Sequence, residues 1–101
     1  MEDLNRINDI KTIAGHYGVK SQLGICQEEC AELIQAISKH ERTWSNASRM
    51  AVAMEIADVL IMLRQIVYLM NIDNQILDVY ISAKIDRQLQ RIEKEKNEQT
   101  K

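Results

Sequence analysis

The sequence has no proline and no phenylalanine, and only three glycines among its 101 residues. A chain built on many tight turns, such as a β-sandwich, needs those punctuating residues and is excluded. Cysteine is nearly absent too. Cys26 and Cys30 stand four apart, which on a helix gives one shared face but an axial offset of ~6 Å, a poor fit to a disulfide. Their apolar neighbours suit buried free thiols. A zinc site would need two further ligands at suitable spacing, and neither His16 nor His40 offers one.

An excess of one charge is also lacking. Thirteen basic and fifteen acidic residues leave a net charge of −2, too balanced for nucleic-acid binding by electrostatics. The distribution is uneven, because residues 84–101 carry six basic and four acidic side chains while the remainder carries seven and eleven. No uninterrupted apolar span is present. Residues 51–70 come nearest, with 16 of 20 apolar, but Glu55, Asp58, Arg64 and Gln65 break them, so no membrane segment is expected. Residues 1–11 mix charge and polarity without a leader pattern, and the expected location is cytoplasmic.

What remains is a chain 46% apolar and rich in Ile, Leu, Ala, Glu, Gln and Lys, most of them good helix formers. One domain spanning 1–101 and mostly helical is expected, an antiparallel bundle of about four helices. Leu4, Ile7, Ile10 or Ile13, and Tyr17 recur at helical spacing, predicting a first helix over about 3–15 that ends at Gly15 and Gly18. Ser21 suits the cap of a second helix running to about Arg42. Residues 43–48 read as a loop. A third helix follows over about 48–70. Asp73 caps a fourth, which fades into a polar, frayed end over about 93–101. Met50, Met54, Met62 and Met70 read as core filling.

The third helix carries the chemistry. A helix apolar all round is buried all round, yet Glu55 and Asp58 lie inside this one, three apart on one face. Buried carboxylates need a proton, a cationic partner or a metal. The second helix adds more acids. Its apolar stripe is Leu23, Cys26, Cys30, Leu33, Ile34 and Ile37, with Glu29 roughly 80° and Glu32 roughly 140° from the stripe centre on the helical wheel. Glu28 points away from the stripe. Two antiparallel helices can bring Glu29, Glu32, Glu55 and Asp58 together, and four carboxylates in a small space require cations. All-oxygen ligands suit Mg2+, with Mn2+ as a substitute, and Mg2+ favours phosphate oxygens. A pyrophosphate-bearing substrate fits.

The order Glu28-Glu29-x-x-Glu32, then 22 residues, then Glu55-x-x-Asp58, resembles the signature of the MazG-like, all-α nucleoside triphosphate pyrophosphohydrolases. Tyr17-Gly18, Gln22-Leu23, Glu29-x-Ala31-Glu32-Leu33 and the run from Glu55 to Met62 extend the likeness over about residues 15–92. The resemblance implies hydrolysis of a (deoxy)nucleoside triphosphate to the monophosphate and pyrophosphate. Glu29, Glu32, Glu55 and Asp58 would be the catalytic acids that hold Mg2+, which would bridge phosphate oxygens and activate a water for attack at the α-phosphorus. Lys84 and Arg91 fall where relatives carry basic residues on the last helix, and would neutralise the phosphate chain. Many relatives have asparagine between those two where this chain has Gln88, which keeps the amide and adds a methylene. Glu28 either positions the attacking water or is a solvated residue.

Trp44, in the loop after the acidic helix, either stacks on a base or plugs the end of the bundle. Gln22 either hydrogen-bonds the base or is a surface amide. A di-iron bundle is disfavoured, because neither histidine has a glutamate three residues before it. The competing class is a non-catalytic helical interaction or regulatory module that keeps the fold, in which Arg64, Lys20 or Arg49 would engage the acids. The apolar third helix also exceeds what three partner helices, one of them short, easily cover. A homodimer or a dimer of dimers is expected, with the site near the subunit interface.

Overall fold

The computed structural model describes residues 6–99 and is helical throughout them apart from short connections. The helices are α1 (Ile7–Tyr17), α2 (Val19–Thr43), α3 (Asn46–Leu69) and α4 (Asn74–Gln99). Leu4 and the expected start of the first helix lie outside the described residues. None of these helices is long and apolar enough to cross a membrane. The chain divides into two compact units, one ending at Asn71 and the other beginning at Ile72.

In the first unit, α2 and α3 form the main packed pair, and α1 lies against both. Gly18 alone separates α1 from α2. Its φ of 87° is a conformation that a side chain disfavours, and its N–H donates to Ala14 O at 2.8 Å. Gly15 continues α1 instead of ending it. Because Gly18 O already accepts from Gln22 N at 3.1 Å, α2 begins at Val19. Ser21 therefore sits inside the first turn and is not the cap, and its hydroxyl donates to Gln22 Oε1 at 3.2 Å.

The α2–α3 connection is shorter than the expected loop. Trp44 takes a left-handed conformation and closes α2, its N–H donating to His40 O. Ser45 then caps α3. Its hydroxyl accepts from Ser48 N at 3.0 Å, and Ser45 N donates to Ser48 Oγ at 3.2 Å. This reciprocal pair satisfies donors that a helix start leaves free, so α3 begins at Asn46, two residues before the expected start.

The seam between α2 and α3 follows alternating steps of four and three. On α2, the residues partly or wholly shielded at this spacing are Gln22, Cys26, Glu29, Leu33, Ala36 and His40; on α3 they include Ser48, Val52, Glu55, Val59, Met62 and Ile66. That is the spacing of two helices packed as a coiled coil. It corrects the expected apolar stripe of α2, since Leu23 and Ile37 are exposed and Ile34 is 68% exposed. Glu29 is in the seam, not to one side of it. Among the described residues, the buried apolar ones are Ile10, Ala14 and Met62. Of the methionines expected in the core, Met62 alone is buried, while Met50, Met54 and Met70 are exposed. Cys26 and Cys30 are free thiols, half-buried, and burial with Cys30 alongside pushes the Cys26 thiol up, away from the reactive thiolate.

The second unit is built on α4. Asp73 caps it as expected, with Oδ1 accepting from Gln75 N at 2.8 Å and its carbonyl from Leu77 N at 3.0 Å. The helix runs to Gln99, and the last two residues of the expected polar end lie outside the described residues. Residues 93–99 contain mostly good helix formers and no glycine or proline to stop it.

Candidate metal centre

Seven residues along α2 from Gln22, and seven back along α3 from Gln65, the helix pair carries its acids. Glu29, Glu32 and Glu55 each place a carboxylate oxygen within 4.8 Å of the others. Glu29 and Glu55 are half-buried by the seam, while Glu32 is exposed. The inner oxygens, Glu29 Oε2 and Glu55 Oε2, are shielded from solvent and have no hydrogen-bond partner. Buried polar atoms are almost always partnered, so two orphans on carboxylates whose oxygens lie within 4.8 Å of one another mark a site short of positive charge.

Proton affinities register the same crowding. Burial pushes the Glu29 carboxyl above the ordinary glutamate value of 4.5, and the charges of Glu32, Asp58 and Glu55 push it further. Burial likewise raises Glu55, followed by Glu32 and Asp58. When protonated, Glu29 can donate to Asp58 and Glu55 to Glu32. When ionised, neither inner oxygen has a donor. Asp58 is exposed and lies outside the three-residue group that shares a 4.8 Å radius, but it faces Glu29 across the seam.

Among the described residues of the first unit, no cation pairs with these acids. Among the described residues, the ion pair within 4.0 Å is Arg6–Asp9 at 2.9 Å, on α1. Arg49 Nη2 donates instead to Asn46 Oδ1 at 2.8 Å. The engagement by Arg64, Lys20 or Arg49 that a non-catalytic module would show is not made. The donor set is hard oxygen, which fits Mg2+ or Mn2+ and not a soft metal. Glu29, Glu32 and Glu55, with carboxylate oxygens within 4.8 Å of one another, are the residues that would hold such an ion.

The other expected site residues are placed as follows. Gln22 is buried, not a surface amide, and its Nε2 donates to Gln65 Oε1 at 2.8 Å. Trp44 is 77% exposed and leans on the His40 ring, with centroids 4.8 Å apart; it does not plug the bundle. Glu28 is exposed. On α4, Lys84, Gln88 and Arg91 line one shallow depression together with Arg87. Arg87 was not expected there, although its spacing of three from Lys84 and four from Arg91 is the signal that would have found it.

Gln65 and the His40–Ser48 pair were also missed. His40 Nδ1 lies 2.7 Å from Ser48 Oγ, closing the turn end of the seam. His40 and Ser48 fall on the four-and-three spacing of the seam, and Gln65 lies one turn beyond Met62 beside it. No protein-family model, curated protein or solved structure matches the chain.

Proposed function

We propose that this chain is a metal-dependent nucleoside triphosphate pyrophosphohydrolase, resembling the MazG-like enzymes, that cleaves a (deoxy)nucleoside triphosphate to the monophosphate and pyrophosphate. One observation carries the reading: two shielded carboxylate oxygens, on Glu29 and Glu55, that face other acids and no cation. Structural acids in a seam would be paired with arginine or lysine, since a shielded carboxylate oxygen without a donor is unfavourable. A site left this negative suits a ligand that brings its own charge.

Glu29, Glu32 and Glu55 would hold Mg2+ or Mn2+ directly, with Asp58 beside Glu29 as a fourth ligand or as acceptor for a coordinated water. Once bound, the ion supplies charge neutralisation to phosphate oxygens and acidifies water at neutral pH. The chain's carboxylates orient that water toward the α-phosphorus and accept its proton. The oxygen of the water bonds to the α-phosphorus, and the bond from it to the oxygen bridging the β-phosphate breaks, releasing pyrophosphate. Lys84 and Arg91, with Arg87 between them on the same face of α4, are the cations we assign to the polyphosphate chain, and Gln88 is the amide between them. Trp44, exposed at the end of α2, is available to stack on a base.

Assembly as a homodimer or a dimer of dimers is part of the proposal. On α3, Met54 is 70% exposed, and Ile56, Ile61, Leu63 and Tyr68 are exposed as well. A run of that size suits a protein partner, and a second copy is the partner always at hand. A monodisperse monomer by light scattering at micromolar concentration would refute it.

The deciding experiment is a pyrophosphate-release assay with Mg2+ across canonical and modified nucleotides. Release from at least one of them, lost in Glu55→Gln while the helical circular dichroism persists, is the expected result. A flat panel, with no thermal stabilisation by Mg2+ plus nucleotide, would sink the reading.

A further inference from the structure

The acidic centre poses a mechanical problem. Glu29 faces Asp58 and Glu32 faces Glu55 across the seam, and like charges oppose the very register that brings them together. A slip of one turn along an apolar seam exchanges one aliphatic contact for another at little cost, so apolar packing alone holds this register weakly.

Two polar clasps bracket the acids. At the turn end, His40 meets Ser48 at 2.7 Å, and the two-residue connection ties the helices covalently. At the open end, Gln22 Nε2 donates to Gln65 Oε1 at 2.8 Å. Gln65 is 2% exposed and Gln22 5%. The spare donor of Gln65 contacts Met62 Sδ at 3.6 Å, and Gln22 Oε1 accepts from Ser21. This amide pair lies in the same register as the acids. Seven residues onward on α2 and seven back on α3 lead from Gln22 and Gln65 to Glu29 and Asp58, and three more on each strand of the pair lead to Glu32 and Glu55.

We propose that Gln22 and Gln65 are positioning residues whose buried hydrogen bond locks the α2–α3 register and so holds four mutually repelling carboxylates opposed for a cation. Any slip by a helical turn separates the two amides and strands both in the core, where an unpartnered amide is expensive. A buried polar residue that fixes the register of paired helices is the best-attested use of such groups. Leucine at both positions would pack as well and specify less. The cation half of this statement rests on the function proposed above; the register half does not.

The test uses the full chain with Cys26 and Cys30 replaced by alanine and spin labels on Gln35→Cys of α2 and Ala53→Cys of α3, diluted with unlabelled protein. Pulsed electron resonance reads the distance between the helices. Mn2+ affinity is measured separately by calorimetry on unlabelled protein. The parent is expected to give one narrow distance. The Gln22→Leu/Gln65→Leu double variant is expected to give a broadened or divided distribution, to bind Mn2+ at least tenfold more weakly, and to melt no lower than the parent. Gln22→Asn, which keeps an amide but shortens its reach, is expected to move both readouts in the same direction and serves if the double variant does not fold. A distribution as narrow as the parent's in the variants overturns the register lock, whatever Mn2+ does. A broadened distribution with no Mn2+ binding to the parent leaves the lock standing and overturns the cation reading.

Discussion

Two polar layers of one helix pair, seven residues apart on α2 and ten on α3, differ in how their polar atoms are satisfied. In the first, Gln22 and Gln65 are deeply buried and satisfy each other at 2.8 Å. In the second, Glu29 and Glu55 are half-buried, and each keeps a shielded oxygen with no partner. Both layers cost desolvation. Among the described residues, only the first recovers it. Nothing about helix formation or burial requires the second layer to be acidic, since leucine at both positions would suit the seam better. The contrast is that the amides satisfy each other, whereas the shielded acid oxygens find no partner among the described residues.

The largest effect expected is on activity. Glu55→Gln should lower pyrophosphate release by about a thousandfold, the several kcal/mol that a bound metal contributes to a transition state. It should leave the metal-free protein as stable or more so, because it removes a charge from a crowded seam. Were the acidic layer structural like the amide layer, the variant would instead lose stability, and calorimetry decides between the two.

Ligand linkage comes next. Mg2+ or Mn2+ at about a hundred times its dissociation constant should stabilise the protein by about 2.7 kcal/mol, a rise in melting temperature on the order of 10 °C for a chain this size. Glu29→Gln should abolish that rise, whereas Gln22→Asn should only reduce it.

The amide layer gives the third prediction. Gln65→Leu alone strands the Gln22 amide and should cost about 1–3 kcal/mol by urea unfolding, while the double leucine variant should recover most of it. Equal losses in both would mean the pair is not the unit.

The smallest effect is on pH dependence. Glu29 and Glu55 bind protons more tightly folded than unfolded. Metal-free stability should therefore be highest at or below the ordinary glutamate value of 4.5 and decline as pH rises through it toward the raised folded values, then level off. Saturating Mg2+ should flatten or reverse that slope. A metal-free protein that gains stability over the same range would contradict the arrangement of charges described for the seam.

Much of this was legible from residue order. Four helices, their sequence, the Asp73 cap and the meeting of acids from two helices all follow from periodicity and punctuation. The seam was misread for a physical reason. Its positions on α2 include Gln22, Glu29 and His40, so a search for apolar residues alone rotates toward Ile34 and Ile37, which the fold leaves outside. Spacing of four and three, taken without regard to polarity, would have found it. Gly18 was correctly seen as a break, but the speed with which α2 restarts depends on a positive φ that spacing does not show. Arg87 was overlooked because a charge on a polar helix carries no signal until its neighbours at three and four are considered together.

The two-residue turn at Trp44 and Ser45 has a consequence in time as well as in space. It makes every contact of the acidic centre a contact within one helical hairpin, so the loop to be closed before the carboxylates meet is short and its entropy cost small. Helix growth takes about a microsecond or less and hairpin closure little more, which places the centre among the earliest parts of the chain to assemble. Pulse-labelled hydrogen exchange should find the amides around Glu29 and Glu55 protected in the first observable phase; protection arriving there last would show that the centre waits on contacts beyond the hairpin.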